Sequence, residues 1–160
     1  MKTKNKTATL VRAAMIASLY VILTFISNSA GLANGVIQLR LSEALTILPC
    51  FFPEAIAGLT VGCLLSNTLT ACAMLDIIFG SIATLIGAVG TYLMRKHKIL
   101  ASLSPVVSNV IIVPFVLKYA YGLNDAWWFM ALTVGLGEIA SCMFLGLLVH
   151  SIITKTNKYL

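Results

Sequence analysis

The sequence predicts an all-α integral membrane protein, a single membrane domain spanning residues 1–160 with six transmembrane helices. Three observations carry this reading. Of the 160 residues, 59% are apolar and only 10% charged, whereas a water-exposed domain carries about 25% charged residues. Several apolar runs reach the ~20 residues that a helix needs to cross a bilayer. No run alternates in the manner of a β-barrel strand, and a helix satisfies its own backbone hydrogen bonds in lipid.

The first helix is expected at about 8–25. Lys2, Lys4 and Lys6 precede it and small residues follow it, loosely the pattern of a signal peptide. Its length, Arg12 at its start and the spans that follow favour a retained helix. A polar, Gly-containing stretch then leads into an apolar run from 41 to 72. As one helix this run would be about 48 Å long at ~1.5 Å per residue, against a hydrocarbon layer of ~30 Å. Pro49 and Pro53 lie in it, and proline ends or kinks a helix. The run is therefore split into a second helix, about 41–52, and a third, about 54–72. A fourth helix, about 76–94, precedes the basic loop Arg95-Lys96-His97-Lys98. A fifth is expected at about 104–121, with Pro105 in its first turn and Pro114 as a kink. A short polar turn leads to the sixth, about 126–153.

Six spans put both termini on one side. Lys2, Lys4, Lys6, Arg12, Arg95, Lys96, Lys98, Lys155 and Lys158, nine of the eleven basic residues, then share that side, which makes it the cytoplasm. The net charge of +6 thus orients the chain in a membrane and does not imply nucleic acid. The four cysteines lie in apolar runs without a C-x-x-C pair. His97 and His150 show no metal-ligand spacing, so no metal is expected.

Ionisable groups within spans are costly, by ~2.5–3.5 kcal/mol each on insertion scales, and they mark function. Glu43 and Asp76 begin the second and fourth helices, where a carboxylate also favours a helix N-terminus. Glu138 lies deep in the sixth helix, where no cap explains it; its alternative role is a bond to a neighbouring helix. Trp127 falls eleven residues earlier, within about 20° of the same helical face, although an aromatic there also suits the membrane interface. Together these residues predict a pocket opening outward that suits a small polar molecule with aromatic character. On the first helix, Ala13 and Ala17 form A-x-x-x-A, a small-residue face that lets another helix approach closely. It is a candidate docking face for a membrane partner. The chain has no G-x-x-x-x-G-K-[ST] and no H-E-x-x-H, so neither ATP hydrolysis by that route nor metalloprotease chemistry is expected; no enzyme is.

Six helices of this size with A-x-x-x-A on the first resemble the substrate-binding S component of energy-coupling factor (ECF) transporters. The segments Ile37-Gln-Leu-Arg-Leu-Ser-Glu-Ala44, Leu48-Pro49, Pro53-Glu54-Ala-Ile-Ala-Gly58, Val61-Gly62-Cys63, Ser66-Asn67, Asp76-Ile-Ile-Phe-Gly80, Ala83-Thr84-Leu85 and Gly137-Glu138 look like the QueT family. The resemblance implies an S-component-like bundle in the bacterial cytoplasmic membrane. It captures a queuosine precursor, a 7-deazaguanine base such as prequeuosine base or queuine. It also implies a transmembrane coupling partner carrying two ATPase subunits, which use the ATP, with no cofactor on this chain. On that reading Glu138 takes the guanine edge and Glu43 or Asp76 the ligand's ammonium. Gln38, Arg40 and Asn67 orient it, and Trp127 or Tyr121 stacks. Arg40 alternatively pairs with Glu43, three residues away. The competing readings are an S component for another vitamin and a non-transporting membrane scaffold.

Overall fold

The computed structural model describes residues 6–32 and 38–156. Among these residues the protein is entirely helical: α1 (Lys6–Ser29), a 3-10 helix (Leu41–Cys50), α2 (Ala55–Leu69), α3 (Met74–Leu93), α4 (Lys98–Ala120) and α5 (Trp127–Glu138). A π-helical segment, Ile139–Leu145, joins α5 to α6 (Gly146–Thr156). Four helical stretches are long and apolar enough to cross a membrane: Lys6–Ser29, Met74–Leu93, Lys98–Ala120 and the continuous Trp127–Thr156. Large apolar side chains such as Leu10, Met15, Ile22, Ile86, Ile111 and Phe144 point outward from them. That is the surface a lipid environment stabilises.

The other two helices are short, and their packing explains how they are accommodated. The 3-10 helix is buried on every side from Ser42 to Pro49. It lies against α1, α2, α3, α4, α6 and the π segment. A rise of about 2.0 Å per residue lets ten residues reach about 20 Å, where an α-helix would reach about 15 Å. The expected second helix is thus a central 3-10 pillar. The chain breaks between Cys50 and Ala55, around Pro53.

Contacts at the helix ends fix the direction of each helix. Arg12 at the start of α1 pairs with Glu54, 3.1 Å away, in the turn before α2. Phe51 in that turn packs at a tilt against His150 of α6, ring centroids 4.9 Å apart. Lys98 at the start of α4 lines one groove with His150 and Lys155. At the opposite end, Thr24, Ser27, Arg40, Asn67, Asp76 and Tyr121 meet around one cavity. Arg12, Lys98 and Lys155 therefore share one end of the bundle, opposite that cavity.

Two local features depart from expectation. α4 begins at Lys98, six residues before the expected start, so Pro105 lies inside the helix and not in its first turn. Proline has no N–H to give the carbonyl four residues back, here that of Ala101. The Thr91 hydroxyl of α3 donates to that carbonyl at 2.9 Å. A neighbouring side chain thus satisfies the freed group, as it must where water is absent. The second concerns Ala13 and Ala17. A Cβ on Gly58 of α2 would come 2.6 Å from the Ala13 carbonyl, and one on Gly62 would come 2.8 Å from the Tyr20 Cβ and 3.0 Å from the Ala17 carbonyl. Ala17 is buried. Ala13 and Ala17 thus face Gly58 and Gly62 of α2, Ala13 remains half-buried, and Ala14 and Ser18 are small residues that α1 exposes.

A candidate ligand cavity above a buried carboxylate pair

A cavity of about 480 Å³ opens at the end of the bundle opposite Arg12 and Lys98. Of the residues expected in a site, Gln38, Arg40, Asn67, Asp76 and Tyr121 line it. Asp76 is the one carboxylate among the lining residues. It stands in the first turn of α3. The Tyr121 hydroxyl, from the end of α4, donates to Asp76 Oδ2 at 2.9 Å and accepts the Ala73 N–H at 3.3 Å. Burial, reinforced by the Asp76 carboxylate, raises the Tyr121 phenol above its usual range and keeps it a neutral donor. Arg40 Nη2 lies 4.0 Å from Asp76 Oδ2. Burial works against the Arg40 charge, but Asp76, together with Tyr20, Cys63 and Glu43, outweighs it and moves the pKa up. Arg40 thus pairs with Asp76 across the cavity in addition to facing Glu43.

The Asn67 amide donates at 3.5 Å to the Asp76 carbonyl and at 3.6 Å to Cys63 Sγ. Gln38 sits where the first loop crosses the last helix: a Cβ on Gly137 would come 2.0 Å from the Gln38 carbonyl oxygen. Only a residue without a side chain admits the loop there. The arrangement presents a carboxylate, a guanidinium, amides and a phenol to a small polar solute.

Glu43 and Glu138 do not line the cavity. They are 2% and 7% exposed and form a layer beneath it. The Tyr20 hydroxyl donates to Glu43 Oε1. The Cys142 thiol donates to Glu138 Oε2 at 3.2 Å, and the Asn109 amide of α4 also bonds Glu138. Donor atoms of Glu43, Glu138 and Cys142 lie within 4.8 Å of one another, close enough to surround a cation. Spacing along the sequence did not reveal this set, because Glu43 comes from a different helix. The Tyr20 hydroxyl and the Cys142 thiol donate to one oxygen of each carboxylate, so both are already hydrogen-bonded within the bundle. Trp127 is also outside the cavity lining. It shares a face with Glu138, as the eleven-residue spacing requires, but that face packs on α4: Trp127 meets Phe115, ring centroids 6.0 Å apart.

Several site residues were not singled out from the sequence. Thr24, Ser27 and Asn28 line the cavity, and Tyr20 reaches the layer below. Ala17, Tyr20, Thr24 and Ser27 are the buried residues of α1. Their three- and four-residue spacing, polar within an apolar helix, was the signal available.

Comparison with known proteins places this sequence in a family. A queuosine precursor transporter QueT from Lactococcus lactis subsp. cremoris (strain MG1363) is 39% identical over 96 residues. The match covers 59% of this chain and 56% of that relative. No solved structure matches. Residues 10–155 match the QueT transporter family, and the chain belongs to it.

Proposed function

We propose that the chain is the substrate-capturing S component of an ECF-type importer for queuosine precursors. It takes a 7-deazaguanine base such as prequeuosine base or queuine from outside and delivers it by docking on an ATP-driven coupling module. The observation that carries this reading is the polar cavity at the end away from Arg12, Lys98 and Lys155, in a member of this transporter family. Basic residues favour the cytoplasmic face. Six passes with both termini inside therefore turn the cavity outward in a bacterial cytoplasmic membrane. The named relative, a queuosine precursor transporter, supports the substrate class.

The ligand chemistry fits the residues. A deazaguanine base presents adjacent N–H donors, which a carboxylate accepts in bidentate fashion. Prequeuosine base and queuine add an amine that is protonated at neutral pH. Asp76, held by Tyr121 and Arg40, takes the ammonium in the cavity. Glu138, with Glu43 beside it, takes the guanine-like edge once Arg40 gives way. Gln38 and Asn67 orient the ring. Docking uses α1, whose exposed Ala14 and Ser18 offer a small-residue face to the coupling subunit; that partner's two ATPases hydrolyse the ATP.

The test is a calorimetric titration of the detergent-purified chain with queuine, prequeuosine base, guanine and riboflavin. Tight binding of a deazaguanine with weak guanine binding supports the reading. Riboflavin binding would make the chain an S component for another vitamin, and a folded sample that binds none of the four would remove solute capture.

A further inference from the structure

We propose that Glu43 and Glu138 share one proton in the empty protein, and that the ligand's N–H donor edge displaces it. This deepens the capture reading and rests on it for the ligand half alone.

The layer that holds the pair lies directly under the cavity. Tyr20 is one turn below the cavity residue Thr24, whose hydroxyl donates to the Tyr20 carbonyl at 2.9 Å. Cys63 is one turn below Asn67. Gly137, against which the cavity residue Gln38 rests, adjoins Glu138. One helical turn is about 5.4 Å, so the pair stands about that far beneath the cavity floor. Arg40 lies 4.0 Å from Asp76, and its charge also acts on Glu43.

The charges do not balance without a proton. Three buried carboxylates, Glu43, Asp76 and Glu138, share the single guanidinium of Arg40. Arg40 already lies 4.0 Å from Asp76. The remaining groups facing the pair are Tyr20 from α1, Cys63 from α2 and Cys142 from the π segment. All are neutral, as is Asn109 from α4. Two carboxylates this close and this dry do not both ionise. Glu43 Oε2 supplies an independent sign: it is buried and has no hydrogen-bond partner among the described residues. A bare carboxylate oxygen beside a second carboxylate is what a shared proton would bridge. A ligand edge made of adjacent N–H donors needs acceptor oxygens and leaves no place for that proton, which passes through the cavity to water.

Two measurements decide the two halves. The first is the infrared carbonyl stretch of a protonated carboxylic acid in the purified empty protein at neutral pH. The band is expected in the wild type and lost in the Glu43→Gln, Glu138→Gln double variant. Glu138→Gln alone, which keeps the Tyr20–Glu43 bond, serves as the second variant if the double one does not fold; it too should lose the band. A wild type without the band, or a band unchanged in a folded variant, overturns the shared proton. The second is the binding enthalpy of prequeuosine base in buffers of differing ionisation enthalpy. Close to one proton released per ligand is expected. Binding with no proton exchange overturns the displacement, and means that the edge pairs with a carboxyl that keeps its proton. If no base binds, the capture reading and the displacement fall together, and the infrared result still decides the shared proton.

Discussion

Replacing Gly137 by alanine tests whether the first loop is seated by the last helix. The new Cβ would stand 2.0 Å from the Gln38 carbonyl oxygen and 2.9 Å from its carbon. A carbon–oxygen contact relaxes at about 3.3 Å, so the loop must lift by about 1.3 Å or the helix must retreat by as much. Overpacking of this size costs about 1–3 kcal/mol. The loop carries Gln38 and Arg40 to the cavity, and Arg40 is already at the 4.0 Å limit of its pair with Asp76. Lifting it should therefore weaken precursor binding by about tenfold, or ~1.4 kcal/mol, and lower the thermal midpoint. Gly135→Ala is the matched control, because a Cβ there meets a Val110 methyl carbon at 3.3 Å and no backbone. The assay is calorimetric titration of both variants beside a melting curve in the same detergent. If Gly137→Ala bound and melted like Gly135→Ala, the loop would not be seated on the helix and the reasoning would fail.

Three further outcomes follow from particular contacts. Asp76→Asn removes the one cavity-lining carboxylate and should weaken an amine-bearing precursor by about 10–100-fold, guanine much less; equal losses for both in parallel titrations would place the ammonium elsewhere. Thr91→Val leaves the Ala101 carbonyl unpaired and should cost about 0.5–2 kcal/mol in melting experiments; the cost should vanish in a Pro105→Ala background, where the helix supplies its own N–H. Ala14→Trp and Ser18→Trp on the exposed face of α1 should abolish transport in membrane vesicles while leaving binding intact, whereas Ala17→Trp should lose both by breaking the contact with Gly62. Full transport by Ala14→Trp and Ser18→Trp would remove that face as the docking surface.

Much of the helical order was legible because apolar length and proline position act locally. The apolar run from 41 to 72 exceeds one bilayer and contains two prolines, and the chain does break there. Its 3-10 character was not legible, since the tighter helix answers to the helices packed around it. Pro105 was misplaced for a related reason. Proline usually marks a first turn, but the Thr91 hydroxyl that lets it sit inside a helix belongs to a different helix. Ala13 and Ala17 were visible as a small-residue face, but what meets that face is a property of α2. Asp76 was singled out as a carboxylate at the start of an apolar helix, and Gln38, Arg40, Asn67 and Tyr121 through the family resemblance; they converge because the helix ends that carry them gather at one end of the bundle.

Depth explains why the carboxylates divide between two layers. Asp76 and Arg40 stand at helix ends on the cavity lining, where the guanidinium lies 4.0 Å from the buried Asp76 carboxylate and balances its charge. Glu43 is three residues further along the central pillar, and Glu138 is the last residue of α5 before the helix widens. That widening carries Cys142, one turn on, to a place where its thiol reaches both Glu138 and, at 3.6 Å, the Glu43 carbonyl. Every hydrogen-bond donor identified on the buried pair, Tyr20, Cys142 and Asn109, is neutral. A pair dressed only by neutral donors is poorly suited to hold two charges and well suited to exchange one proton for a ligand that brings its own donors. Under the capture proposal, the upper layer selects the solute by charge and the lower layer reads its edge.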